Sequence, residues 1–142
     1  MKLPDVNVLL YAANADSPLQ PAASAWLEAA FENPGGVGLA WVVLLGFVRV
    51  GTRRGILSEP MSIETALRFL NVWLSEPGAR VLHPTERHEQ LLGRLLIAAG
   101  SAGNLTTDAH LAALAIEHGA TLASFDRDFE RFNGLDFERL HA

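Results

Sequence analysis

The chain has 142 residues, the length of one domain able to bury a core without disulfides or structural metals. Hydrophobic residues make up 49% and charged residues 19%, which excludes a disordered or fibrous chain, and the lack of cysteine excludes disulfides and thiolate metal sites. The net charge of −5, from 11 basic and 16 acidic residues, argues against nonspecific nucleic-acid binding by the surface as a whole and leaves room for a local basic patch.

A single domain over residues 1–142 is expected. The first residues show no basic stretch followed by a signal-type apolar core, and no apolar run reaches membrane-spanning length, so a cytoplasmic protein is the default expectation, with no membrane partner. In chain order, a very short strand precedes Asp5, which stands where an acid caps a helix over Val6–Ala13. Ala22, Ala25, Trp26 and Ala29 recur at helical spacing between Pro18 and Phe31, and Pro34-Gly35-Gly36 ends that element. Val37–Leu39 is a second strand. Trp41–Thr52 is apolar nearly all round until Arg49, the pattern of a buried helix with one end in solvent.

Ser62 opens a further helix closed by Pro77-Gly78, and Ala79–His83 is a third strand. The leucines at 91, 92, 95 and 96 place a helix within Thr85–Ala99, broken by Gly100 to Gly103. Thr106 or Thr107 is expected to cap a helix to His118, stopped by Gly119. Ala120–Phe125 is the best strand of the chain, and a last one is placed at Leu135–Phe137. Helices alternating with short apolar strands imply an α/β domain with a mostly parallel sheet. Ligands in such folds sit beyond the C-terminal ends of the strands. Asp5 and Asp126 both follow predicted strands and would share that edge.

Each acid has an ordinary explanation when taken alone. Asp5 suits a helix cap, Asp108 the first turn of a helix, and Asp126 and Asp128 the cap of a following turn. Gathered at one edge, they would repel and raise one another's pKa unless a cation intervened, and hard oxygen ligands select Mg²⁺ or Mn²⁺ over zinc. His110 points to a different helix face from Asp108, which favours a structural or surface role. Arg49 and Arg53, four apart, share a helical face: either a solvated helix end or a contact to a nucleic-acid phosphate. Trp26, Trp41 and Trp73 lie in helical apolar patterns and are expected in the core or an interface.

The stretches LPDVNVLLYA, NLTTDAHLAALAIEHGATLASFDRDF and FNGLDFERL, in that order, resemble the PIN-domain ribonucleases, specifically VapC-type toxins of toxin–antitoxin pairs. The resemblance implies a three-layer α/β/α sandwich in which Asp5, Asp108 and Asp126 hold Mg²⁺, with Mn²⁺ as a substitute, and Asp128 as a further acid of the catalytic set. It also implies attack of a metal-activated water on an RNA phosphodiester, leaving a 5′-phosphate and a 3′-hydroxyl. A VapB-type antitoxin that blocks the acidic pocket and a homodimer would be the partners. Asn7 and Ser124 are candidates for orienting the carboxylates by hydrogen bonds. One position departs from the family pattern: Gly46 stands where a further acid is common, and no Asp or Glu occurs from Asn33 to Ser58.

Two other readings compete. Receiver-like and haloacid-dehalogenase-like domains also gather aspartates at strand ends, but they place a lysine beside the phosphoryl group, and the single lysine, Lys2, precedes every candidate strand end. The alternative that Gly46 keeps open is a non-catalytic PIN-like module that binds a protein partner.

Overall fold

The computed structural model describes residues 1–55 and 57–142. Five strands alternate with six α-helices: β1 (Lys2–Pro4), α1 (Val6–Ala13), α2 (Gln20–Glu32), β2 (Val37–Ala40), α3 (Trp41–Gly51), α4 (Ile63–Ser75), β3 (Ala79–Leu82), α5 (His88–Ala99), α6 (Thr106–His118), β4 (Thr121–Ser124) and β5 (Phe137–Arg139). Short 3₁₀ turns occupy Gly103–Leu105 and Arg127–Arg131. The strands form one all-parallel sheet in the order β3-β2-β1-β4-β5.

That order explains the layers. The chain moves outward from β1 to β2 to β3, then crosses back to β4, and crossovers of constant hand running in opposite directions put their helices on opposite faces. Accordingly α1 packs on α2 and α3, and α3 on α4, while α5 pairs with α6. The direction reverses between β1 and β4, which share the register Lys2 to Thr121, Leu3 to Leu122 and Pro4 to Ala123. Leu3, Val37, Leu39 and Leu122 fill the sheet's centre, fully or almost fully buried, with Phe47 and Trp73 meeting edge to face at 4.9 Å beneath them.

Most expected boundaries coincide with the structure. Asp5 caps α1 by accepting from the Val6 amide, and Ser62 caps α4 by accepting from the Thr65 amide at 3.1 Å. Gly100 and Gly119 end α5 and α6 in the left-handed conformation that favours glycine, at φ of 73° and 62°. Four expectations need correction. Helix α5 begins at His88 rather than Thr85, because the Thr85 hydroxyl and amide are taken by Glu117. Neither Thr106 nor Thr107 is a cap: the 3₁₀ turn Gly103–Leu105 runs straight into α6, and its helical geometry leaves no extended residue to do the capping. The last strand lies two residues later than expected, since the Leu135 amide turns back to the Phe132 carbonyl. Helix α3 is not buried all round, for Trp41 and Leu45 stand in solvent at 45% and 60% exposure, while Trp73 is in the core and Trp26 half-buried.

Candidate active site

Asp5 follows β1, and Asp126 lies just past the end of β4, so both project from the two strands that flank the reversal of strand order, the place where open parallel sheets bind ligands. The Asp5 amide donates to the Ala123 carbonyl at 2.9 Å, which ties the two strand ends together. Asp108, in the first turn of α6, is brought to the same edge from the opposite helical layer.

A polar chain under the acids fixes Asp5. The Asn7 side-chain amide donates to Ser124 Oγ at 3.0 Å, and the Asp126 amide donates to the same oxygen at 3.0 Å. With both acceptances used, the buried Ser124 hydroxyl donates its proton to Asp5 Oδ2 at 2.8 Å. The amide oxygen of Asn7 is claimed by the Phe125 amide at 3.2 Å, which sets the orientation of the whole chain. Ser124 thus bonds Asp5 directly, and Asn7 reaches it only through Ser124. Asp126 accepts from the Asp128 amide at 2.9 Å, turning the backbone into the 3₁₀ segment.

Three acids this close have electrostatic consequences. Burial pushes the Asp5 carboxyl above its ordinary value, the Ser124 hydroxyl and Val6 amide pull it back in part, and the charge on Asp126 raises it again. Asp108 is pushed up to about 6, first by burial and then by the charges of Asp5, Asp126 and Asp128, with Arg131 acting in the opposite sense. Asp108 makes no side-chain hydrogen bond among the described residues. Each Asp5 oxygen carries one hydrogen bond, so each keeps a lone pair free.

This donor set suits a hard divalent cation: all oxygen, mutually repelling, with free lone pairs. Among the described residues no three His, Cys, Asp or Glu side chains are arranged to hold an ion by themselves. Gly46 is buried on α3 against α1, where a Cβ would lie 2.8 Å from Val6 Cγ2. The space beside Gly46 is therefore filled by the valine that follows Asp5.

Other residues stand elsewhere. Gly46 faces Val6 and Gly51 faces Leu10, so α3 and α1 run side by side and carry Arg49 and Arg53 away from Asp5. His110 joins no acid of the cluster: its Nδ1 meets His88 Nε2 at 2.8 Å, and His88 Nδ1 meets Glu117 Oε2 at 2.7 Å. The structural role expected of His110 is thus given a partner. Arg131 was not marked by the sequence, although its spacing of three from Asp128 on a turn was a usable signal; the two side chains lie 3.8 Å apart.

Residues 2–135 match the family model described as the PIN domain. Among curated proteins, the chain is 44% identical over 139 residues to Ribonuclease VapC37 of Mycobacterium tuberculosis, covering 98% of this chain and 96% of the relative. It is 40% identical over 131 residues to VapC ribonuclease Mb2897 of Mycobacterium bovis, covering 92% and 89%. Among solved structures, VapBC2 from Rickettsia felis bound to a promoter DNA fragment superimposes with a TM-score of 0.72 at 20% identity, covering 99% of this chain and 98% of that one. Mycobacterium tuberculosis VapC20, titled a sarcin-ricin loop cleaving toxin, does so with a TM-score of 0.71 at 21% identity, covering 96% and 98%.

Proposed function

The chain belongs to the PIN domain family, and from that premise we propose that it is the endoribonuclease toxin of a VapBC-type toxin–antitoxin pair, with Asp5, Asp108 and Asp126 holding Mg²⁺. The observation that carries the reading is the crowding of these carboxylates at the reversal between β1 and β4, where Asp108 is raised to about 6 with no hydrogen-bond donor to relieve it among the described residues. The ribonuclease names of relatives that align over nearly the full chain add the substrate class.

A divalent cation, when bound, supplies Lewis acidity toward a phosphodiester and a more acidic water. The protein's own groups prepare the place for it. Ser124 and the Val6 amide fix the Asp5 carboxylate, so its free lone pairs point in one direction at no cost in side-chain ordering during reaction. Asp108 carries its charge above pH 6 and is the acid best able to change partners, because no side-chain hydrogen bond holds it among the described residues. Asp126 is fixed through the Asp128 amide. In-line attack of water on the RNA phosphorus, with the P–O3′ bond breaking, leaves a 5′-phosphate and a 3′-hydroxyl.

The same field explains inhibition by a VapB-type antitoxin: a guanidinium offered by the partner would sit among the carboxylates with charge-assisted hydrogen bonds. Trp41 and Leu45 on α3, together with Ile63, Leu67 and Val72 on α4, are among the exposed apolar residues available for self-association into a homodimer.

The test is RNA cleavage by the parent and by Asp108→Asn, with Mg²⁺ titrated calorimetrically into each. The parent should cut with Mg²⁺ and stop when it is chelated, while the variant should neither cut nor bind the ion with the parent's affinity. A parent that folds, binds RNA and never cuts would return the chain to the non-catalytic alternative.

A further inference from the structure

Two arginines, Arg127 and Arg131, lie on the turn after β4, and Arg131 is the one with an acid of that turn beside it. The 3₁₀ turn Arg127–Arg131 begins at Asp126 and is nailed to the core by Phe129, which is 1% exposed. Side chains three apart eclipse in such a turn, so Asp128 and Arg131 share one side of it. Arg131 Nη2 approaches Asp128 Oδ1 to 3.8 Å, an ion pair longer than a hydrogen bond, and both side chains are about half exposed, at 43% and 51%. The guanidinium therefore has donors to spare among its five N–H groups. The turn is capped by Asp126, whose carboxylate accepts from the Asp128 amide at 2.9 Å, so Arg131 stands on the same short turn as an acid of the cluster.

An incoming RNA strand meets a problem at the acid cluster. Its phosphates must approach several carboxylates, and an inner cation screens only the side of the phosphate that faces it. A planar guanidinium at the rim can hold carboxylate and phosphate oxygens at once, which a point charge does less well. We propose that Arg131 is the residue of this site that grips the RNA backbone phosphate, resting against Asp128 when RNA is absent and moving onto the phosphate when RNA enters. Asp128 then serves mainly as the resting partner of Arg131. This rests on the ribonuclease reading given above and assigns the phosphate contact to the turn after β4 instead of the end of α3.

The experiment measures binding of a fluorescently labelled single-stranded RNA oligonucleotide of mixed sequence, in chelator without metal, over a range of salt concentrations. Arg131→Gln should bind about five- to tenfold more weakly, and its slope of log affinity against log salt should fall by about 0.7, the value of one phosphate contact on a single strand. Arg131→Lys should keep the slope, and Asp128→Asn should bind more tightly than the parent because the arginine is released. Unchanged melting temperature of Arg131→Gln excludes a folding cause. If the parent binds RNA while Arg131→Gln matches it in affinity and slope, the assignment of Arg131 is wrong and the ribonuclease reading stands. If the parent binds no RNA under any condition, both fall together. Loss of slope in Arg49→Gln with none in Arg131→Gln would move the contact to α3.

Discussion

Asp5 and Glu117 are both carboxylates packed into the protein, and the fold pushes them in opposite directions. Burial alone would raise both. For Glu117 it is outweighed by hydrogen bonds from the Thr85 hydroxyl at 2.7 Å, from His88 and from the Thr85 amide, and the carboxyl ends below its ordinary value. Asp5 has two donors, but its burial outweighs them, the charge of Asp126 adds to that, and it ends above. The first carboxylate is satisfied by its own chain and the second is left wanting positive charge. Function is to be sought at the second, because a group whose needs are fully met internally has nothing left to offer a ligand.

The comparison can be broken by exchanging what each region lacks. The largest effect is expected for Asp5→Asn, which should reduce RNA cleavage by more than about 100-fold, beyond what loss of an orienting partner costs. Its melting temperature should equal or exceed the parent's in metal-free buffer, because a repelling charge has been removed. A large drop in melting temperature would mean that Asp5 acts chiefly as a cap. Glu117→Ala should do the reverse: about 2–4 kcal/mol lost in urea unfolding, since the Thr85 and His88 donors lose their acceptor, with cleavage per folded molecule within about twofold of the parent.

Ser124→Ala sharpens the contrast from the side of the acids. It deletes the donor that lowers the Asp5 pKa, so cleavage should fall about tenfold and the acidic limb of its pH profile should move to higher pH. A profile shifted to lower pH would contradict the hydrogen-bond direction. The smallest effect is a pH dependence of stability. Asp108 holds its proton more tightly folded, at about 6, than at its ordinary 3.8, so in metal-free protein its contribution falls as pH rises through that window. His110 works against it, since its lowered pKa costs stability as pH falls below 6.5. The parent minus Asp108→Asn difference removes the histidine, and it should show the parent gaining about 3 °C in melting temperature from pH 7.5 to 5 relative to the variant. Glu117, lowered, withdraws its stabilisation only as pH falls below 4.5 and leaves this window flat.

Asp5, Asp108 and Asp126 were legible because each also follows a local rule: a cap, a first helical turn and the end of a strand. Strand order then does the rest, since a parallel sheet must put these positions on one edge. The Glu117, His88 and His110 chain was not legible. Glu117 and His88 are 29 residues apart, and their meeting depends on how α5 docks on α6, which no local pattern encodes. The start of α5 was misplaced for the same reason, because Thr85 is taken by a residue 32 positions away. Trp41 and Leu45 misled in the other sense: an apolar run announces burial, yet these two face solvent.

Gly46 and Val6 have a consequence for how this site can change over generations. Valine is stiff at χ1 and has no long arm to swing aside, so a side chain of any kind at position 46 meets it head-on at 2.8 Å. A fourth carboxylate on α3 is therefore out of reach of a single substitution: Gly46→Glu alone is disfavoured, and Val6→Ala alone opens a void beside Asp5. The two positions are therefore coupled: a side chain at 46 requires Val6 to give way, and Val6 adjoins Asp5.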